Sequence, residues 1–359
     1  MEQNYKKNLE QFYEVKEELG RGHFAVVKKC VSKENNREVA AKFIKLKRSK
    51  ASKIGMSKEL IERESNILFA IDHAKIIKLY DIFDIGSEMV LVLELLTGGE
   101  LFDKICESEY MKESDACSYM IQVLEAVQHI HSFNIVHLDI KPENIVLQSK
   151  NSSEIKLVDF GLAQRLVPGK DVREIMGTAE FVAPEIVNYE PIGCYTDMWA
   201  IGVLAYILVS GTSPFLGDTN EETLEAIGRV DYEFDDESFG HISNYALEFI
   251  SNLLIKQPKK RLTAEGCLKH DWLIHMQTPQ DHSNSAVIAT SKLKDYLAKR
   301  RWMKSFQKLS AIRKFSQITD VLSNQVDNTE SIKIQSLQVE ENSLQEEDNS
   351  QLSTPVEVL

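Results

Sequence analysis

The stretch that decides the fold is His137–Asn144, with the sequence HLDIKPEN. Read alone, it describes a turn that happens to contain His, Asp and Asn. The neighbouring residues argue against that reading, because a strand-like run, Ile145–Leu147, follows it and an apolar series with helical spacing precedes it. A second strand-like run, Ile155–Val158, leads into the sequence DFG at Asp159–Gly161. This order of elements is not expected by chance, and it predicts that both loops serve one site. The helical series consists of Met120, Val123, Leu124, Val127 and Ile130.

Length and composition indicate a globular protein, and 359 residues are enough for about two domains of about 150 residues each. The formal charge of −13 argues against general nucleic-acid binding. Five cysteines without a Cys-x-x-Cys pair fit the reduced thiols of the cytosol. No apolar signal region follows Met1, Glu2 excludes the myristoylation pattern, and the longest apolar run, Met198–Val209, fits a buried helix. We therefore expect a soluble cytoplasmic protein without a transmembrane segment.

A glycine turn between two strand-like runs lies in Glu18–Val27. Gly20 and Gly22 lack the Cβ atoms that would keep backbone N–H groups away from a phosphate. A plain hairpin turn is the commoner explanation of a lone G-x-G pattern, so this motif is weak evidence by itself.

Lys42 lies in the strand-like run Val39–Ile44, where a lysine is usually only solvated, so its partner decides the interpretation. The helical pattern Glu59–Leu68 contains Glu62 and Glu64, of which only one can face Lys42. The spacing of the apolar residues favours Glu64 as the partner.

The second half of the chain changes character twice. Helical periodicity dominates from about Ser108 to His275, and a polar linker follows at residues 276–290. Residues 291–316 are rich in Lys and Arg. Residues 325–359 are polar and acidic with few aromatic residues, which predicts a disordered tail.

Together these motifs resemble those of Ser/Thr protein kinases of the calcium/calmodulin-dependent group, and the chain looks most like the death-associated protein kinase family. The resemblance implies an α+β fold of two lobes. A small, mainly antiparallel β lobe (residues 13–95) and a larger helical lobe (residues 96–275) would be followed by a regulatory helix (residues 291–316). The stretches that carry the narrower match are GGELFD at 98–103, EFVAPEIVNYEP at 180–191, SPFLGDT at 213–219 and the basic loop from Lys45.

The resemblance also implies catalytic roles. Asp139 would accept the proton of the substrate hydroxyl, Lys141 would neutralise charge on the transferred phosphoryl group, and Thr178 would hold both. Lys42, paired with Glu64, would bind the α- and β-phosphates of ATP.

The cofactors implied are ATP and magnesium. Asn144 and Asp159 would be the magnesium ligands. Leu93 would lie at the back of the adenine pocket, and the backbone of Glu94 and Leu95 would hydrogen-bond the base. The other residues expected around the nucleotide are Leu19, Gly20, Gly22, Ala25, Val27, Lys42 and Glu100.

Substrate choice is implied by Glu100 and Glu143, which resemble the carboxylates by which related kinases select protein substrates with basic residues near the Ser or Thr. Glu100 has an alternative role at the ribose. In the large lobe, Asp197 would hydrogen-bond the backbone of the catalytic loop, and Arg261 would pair with Glu185.

Two departures from the common kinase pattern concern control. Leu138 replaces the arginine that binds a phosphorylated activation loop, and leucine cannot bind phosphate. Between Asp159 and Thr178 there is no Ser, Thr or Tyr to phosphorylate. We therefore expect a catalytic lobe that is active without loop phosphorylation and is controlled elsewhere.

The basic segment is the candidate for that control, because its large apolar residues lie along one side of a predicted helix. Calcium-loaded calmodulin binds helices of this type, and without calcium the segment would lie in the substrate cleft. The alternatives are a helix on an anionic membrane and a plain packing helix. Ser305 resembles an autophosphorylation site that weakens calmodulin binding. The expected anchors are Trp302, Phe306, Leu309 and Phe315.

A basic loop at residues 45–58 is either a solvated connection or a docking surface, including one for a homodimer. The rival to an enzyme is a scaffold with a kinase fold that binds calmodulin or membrane without chemistry. The presence of every catalytic residue type argues against that rival.

Overall fold

The computed structural model describes residues 5–22, 24–47, 55–278 and 285–303. Outside the described residues lie the predicted tail at 325–359, residues 48–54 of the basic loop, and the predicted anchors Phe306, Leu309 and Phe315 with Ser305. The chain divides into two compact units, Met1–Tyr296 and Leu297–Leu359. In the second unit the described residues, 297–303, are helical.

The small lobe of the first unit is an antiparallel sheet of five strands with the spatial order β1-β2-β3-β5-β4. One helix, α1 (Lys58–Ala70), crosses over between β3 and β4. Strands β3 and β5 pair over their whole length, and Lys42 is opposite Leu91 in that register. The strands are β1 (Tyr13–Arg21), β2 (Ala25–Ser32), β3 (Glu38–Lys45), β4 (Leu79–Asp84) and β5 (Glu88–Glu94).

The larger lobe is mainly helical, with short strand pairs that hold its loops. The pairs are β7 with β10, β8 with β9, and β6 with β11, all antiparallel. The strands are β6 (Tyr110–Lys112), β7 (Ile135–Val136), β8 (Ile145–Leu147), β9 (Ile155–Leu157), β10 (Gln164–Arg165) and β11 (Val287–Ala289). The helices are α2 (Leu101–Cys106), α3 (Glu113–Ser132), α4 (Pro184–Val187), α5 (Cys194–Ser210), α6 (Asn220–Arg229), α7 (Asp236–Phe239), α8 (Asn244–Ser251), α9 (Ala264–Leu268) and α10 (Asp271–His275).

Helix α5 forms the centre of the large lobe. Every residue from Thr196 to Ser210 is buried, which confirms that the apolar run Met198–Val209 is a core helix. In the described part of the chain no helix is long and apolar enough to cross a membrane. All five cysteines are free of disulfides. The predicted α+β fold of an antiparallel small lobe and a helical large lobe is confirmed.

A buried ion pair between Arg261 and Glu185 stabilises this lobe, as the sequence predicts. The Arg261 guanidinium donates to both oxygens of Glu185 at 2.8 Å, and both side chains are almost fully buried. Arg261 also donates to the carbonyls of Tyr195 and Ile255, both at 2.9 Å, and lies over the Trp199 ring. Such a pair is costly to break, because the remaining partner is a buried, unpaired charge.

We predict that Arg261→Ala lowers the free energy of unfolding by about 3–5 kcal/mol, because Glu185 loses its counter-charge in the core. Urea denaturation followed by circular dichroism measures this loss. The matched control is Arg229→Ala, whose partner Glu225 lies on the same exposed face of α6. That change should alter the free energy by about 0.5 kcal/mol or less. Equal losses in the two variants would contradict the assignment.

Candidate active site

Asp197, in the first turn of α5, holds the loop His137–Asn144 through hydrogen bonds to its backbone. One Asp197 oxygen accepts hydrogen bonds from the His137 N–H and from His131 Nε2, and the other accepts from the Leu138 N–H, all at 2.9 Å. Burial raises the pKa of Asp197, but the hydrogen bond and charge of His131 and the backbone hydrogen bond from His137 outweigh it, so the pKa lies below its ordinary value. The ionised carboxylate therefore fixes Leu138 in its left-handed conformation, with φ of 66°.

Four polar side chains converge at the top of this loop. Lys141 Nζ lies 2.5 Å from Asp139 Oδ2 and 3.0 Å from the Thr178 hydroxyl, which in turn donates to Asp139 Oδ1 at 3.0 Å. The Asn144 amide donates to the Asp139 carbonyl at 2.7 Å and to Oδ2 at 3.1 Å. Asp139 is thus a nearly buried carboxylate whose orientation is set by donors from two loops.

His137 connects this loop to Asp159–Gly161. Its ring is fully buried, and burial lowers its pKa, which favours the neutral form. Nε2 lies 3.2 Å from the Val158 carbonyl, and Nδ1 lies 3.3 Å from the Asp139 N–H. A neutral ring with its proton on Nε2 satisfies both contacts. The ring also packs against Phe160, with centroids 4.8 Å apart. The sequence motif contains His137, but nothing in it gives this bridging position.

Lys42 and Glu64 form the ion pair of the small lobe, with Nζ and Oε1 2.9 Å apart. Glu64 is buried in α1, whereas Glu62 is only half-buried on another face. Lys42 Nζ also lies 3.9 Å from Asp159 Oδ1. Burial lowers the pKa of Lys42, but the charges of Glu64 and Asp159 outweigh it and raise that pKa. The ammonium group therefore stays charged next to the catalytic loop.

The two residues expected to hold magnesium lie next to the ends of two paired strands. Asn144 ends the short turn before β8, Asp159 follows β9, and the Val158 N–H donates to the Asn144 carbonyl at 3.0 Å. The Asp159 side chain is half-exposed. Within the described ranges no group of three or more His, Cys, Asp or Glu side chains is placed to hold a metal. An amide and one carboxylate, both oxygen donors, fit Mg²⁺, which is commonly held by few protein ligands together with substrate phosphates.

The glycine turn joins β1 and β2, and the Gly22 N–H donates to the Ala25 carbonyl at 2.8 Å. Neither Gly20 nor Gly22 has a positive φ. Among the described residues outside its own chain neighbours, a Cβ at Gly20 would have no atom within 4 Å, and one at Gly22 would meet the Ala25 oxygen at 3.6 Å. The fold itself therefore does not require glycine at these positions. Glycine at such positions leaves space for close approach of a ligand to the backbone.

The segment after β5 leads toward the catalytic loop. Leu93 is buried, and the Glu94 N–H donates to the Lys78 carbonyl at 2.8 Å, so this amide is engaged by the fold. The Glu94 side chain pairs with Lys156 at 2.9 Å. Glu100 directly precedes α2 and forms a bridge with Val146 in β8, next to the catalytic loop. Of the residues expected around ATP, Glu100 is thus placed next to the strand that follows the catalytic loop.

Of the predicted calmodulin anchors, only Trp302 lies in the described residues, and it is 66% exposed. It belongs to the helical residues 297–303 of the second unit. Leu138, in contrast, is a buried residue of the catalytic loop.

Comparisons with known proteins agree with this geometry. A family model described as "Protein kinase domain" matches residues 13–273. The chain is 47% identical to mouse death-associated protein kinase 2 over 86% of this chain and 85% of that protein. The human protein of the same name is 46% identical over the same shares.

Among solved structures, the autoinhibited serine kinase domain of the muscle protein titin superposes with a TM-score of 0.72 at 37% identity. That match covers 80% of this chain and 87% of the titin domain. The chain spans about half the length of longer titin and twitchin chains that carry further domains, 52% in each case. The family match and the identities to close relatives are sufficient for assignment. The chain belongs to the protein kinase family and, within it, to the death-associated protein kinases, which are Ser/Thr protein kinases.

Proposed function

We propose that this kinase transfers the γ-phosphoryl group of ATP to protein Ser or Thr with Asp139 as the catalytic base. The observation that carries the proposal is the convergence of Lys141, Thr178 and Asn144 on Asp139. Among the described residues, Asp139 Oδ1 receives a hydrogen bond only from Thr178, so one of its lone pairs remains for a substrate hydroxyl.

The other residues supply charge and position. Lys42, held by Glu64, binds the α- and β-phosphates, and Lys141 lies where charge develops on the transferred group. Asn144 and Asp159 hold magnesium, which when bound neutralises the phosphate oxygens. Positioning and electrostatics therefore supply most of the catalysis.

The nucleotide is covered by the turn that contains Gly20 and Gly22, with Leu19, Ala25 and Val27 around it. Leu93 closes the back of the adenine pocket. The Glu94 N–H is engaged by the Lys78 carbonyl, and the backbone of Glu94 and Leu95 hydrogen-bonds the base through its other groups. Glu100 and Glu143 select substrates with basic residues near the Ser or Thr. This chemistry takes place in the cytoplasm.

The mutation Asp139→Asn tests the catalytic proposal against the scaffold rival. Loss of a general base should lower kcat for a basic serine peptide by about 10²- to 10⁴-fold. The melting temperature should stay close to that of the parent chain. The control is Asp72→Asn, an exposed aspartate of the small lobe. An unchanged kcat in Asp139→Asn, or equal effects in both variants, would favour the scaffold.

We also propose that calcium-loaded calmodulin relieves autoinhibition by binding the basic segment. The support is an exposed Trp302 in a helical stretch rich in Lys and Arg, together with the likeness to a titin kinase domain that is described as autoinhibited. Phe306, Leu309 and Phe315 complete the anchor set, and phosphorylation of Ser305 opposes binding, because it adds negative charge where calmodulin requires positive charge.

Activity of the full chain should rise with calcium and calmodulin and fall when calcium is chelated. Trp302→Ala should weaken calmodulin binding roughly 30-fold in Kd, the typical effect of removing a central aromatic anchor. Isothermal titration calorimetry measures this, with Phe69→Ala, an exposed aromatic on α1, as the control. Activation by phosphatidylserine vesicles but not by calmodulin would favour membrane control instead. The basic loop at residues 45–58 is then the next surface to test, as a homodimer contact.

A further inference from the structure

The segment that leads into the regulatory helix is built into the large lobe. Strand β11 pairs with β6, with Val287 opposite Lys112 and Ala289 opposite Tyr110. Two further backbone hydrogen bonds extend this pairing, from Glu113 to Ala286 at 2.9 Å and from Thr290 to Glu109 at 3.0 Å. The segment lies beyond residue 273, where the kinase family match ends. The lobe therefore carries an added strand that fixes where the regulatory helix begins.

Side chains fix the first turn of that helix, which starts at residue 291. Leu293 is buried, and Lys292 Nζ lies 3.0 Å from the Ser238 hydroxyl and 2.8 Å from Glu237. Gly211 ends α5 with φ of 75°, and a Cβ there would lie 2.7 Å from the Leu293 nitrogen. Only glycine allows the helix to approach the end of α5 this closely.

Tyr296, in the second turn of the helix, contacts the loop next to the candidate active site. Its hydroxyl donates to Glu180 Oε1 at 2.5 Å, and both side chains are buried. An O–H···O⁻ contact of this length is a charge-assisted hydrogen bond, about twice as strong as a neutral one. Glu180 lies in the short turn Ala179–Phe181, directly after Thr178. Thr178 contacts both Asp139 and Lys141.

We propose that Tyr296 is a latch that joins the start of the regulatory helix to the loop carrying Thr178. While the hydroxyl is bonded to Glu180, the helix start and this loop are held together. When the helix is pulled away, Glu180 loses this donor and the loop is released next to the catalytic residues. The inference rests on the proposed autoinhibition and adds the contact through which release reaches the site. Tyr296 acts through Glu180 and Thr178, so it is a positioning residue.

Tyr296→Phe in the full chain tests the latch, because it removes the hydroxyl and keeps the ring. Activity on a basic serine peptide in a calcium chelator should rise roughly three- to tenfold, the effect of losing one charged hydrogen bond on a two-state equilibrium. Activity at saturating calcium and calmodulin should not change. The control is Tyr245→Phe, a half-exposed tyrosine on α8, which should match the parent chain. Unchanged activity of Tyr296→Phe in the chelator would overturn the latch.

A mutant cycle with Glu180→Gln identifies the partner. Glutamine keeps an acceptor but removes the negative charge, so adding Tyr296→Phe to this variant should raise chelator activity far less than in the parent chain. An equal rise in the two backgrounds would show that the effect does not pass through Glu180, and would overturn the proposal.

Hydrogen exchange gives a readout that is independent of activity. Tyr296→Phe should speed amide exchange in residues 286–296 and 178–182 and leave α5 unchanged. Faster exchange in α5 as well, or no change in either segment, would overturn the latch. The calmodulin proposal fails separately: if calmodulin does not activate the parent chain but Tyr296→Phe does, the latch stands and the partner that releases it is a different one.

Discussion

The candidate active site depends on one buried carboxylate, Asp197. Placing a charge in the protein interior is costly unless hydrogen bonds compensate it. Here the compensating donors include two backbone amides of the catalytic loop, at His137 and Leu138. The ionisation of Asp197 and the conformation of the loop are therefore coupled, and each stabilises the other. The left-handed Leu138 is kept in place by this coupling, although a branched side chain disfavours that conformation.

Helix α5 transmits this constraint to the rest of the large lobe. Arg261 bonds the Tyr195 carbonyl in the first turn of α5 and lies over the Trp199 ring one turn later. Its ion pair with Glu185 connects the same helix to α4. The start of α5, which carries Asp197, is thus held both by Arg261 and by the catalytic loop. A series of contacts then leads from the buried ion pair through Asp197 to Asp139.

Much of this arrangement could be predicted from the sequence. Helical and strand periodicity placed Glu64 opposite Lys42, because local patterns report on local structure. The joint roles of Asp139, Asn144 and Thr178 came from the resemblance to known kinases. The bridging position of His137 and the contact of His131 with Asp197 could not be predicted from the sequence, because they depend on how separate elements pack. The bond between Tyr296 and Glu180 joins residues 116 positions apart and belongs to no motif. Nothing in the sequence pattern distinguishes that tyrosine from an ordinary helical residue.

The glycine turn of the small lobe has a consequence for the evolution of stability. Glycine loses more conformational entropy on folding than any other residue, and at Gly20 the surrounding protein offers no steric reason to keep it. An alanine there would restrict the unfolded chain and stabilise the ligand-free protein by about 0.4–1 kcal/mol. Selection for stability alone would thus favour replacing this glycine, whereas the proposed approach of a nucleotide to the turn would favour keeping it. The turn is a position where stability and activity oppose each other.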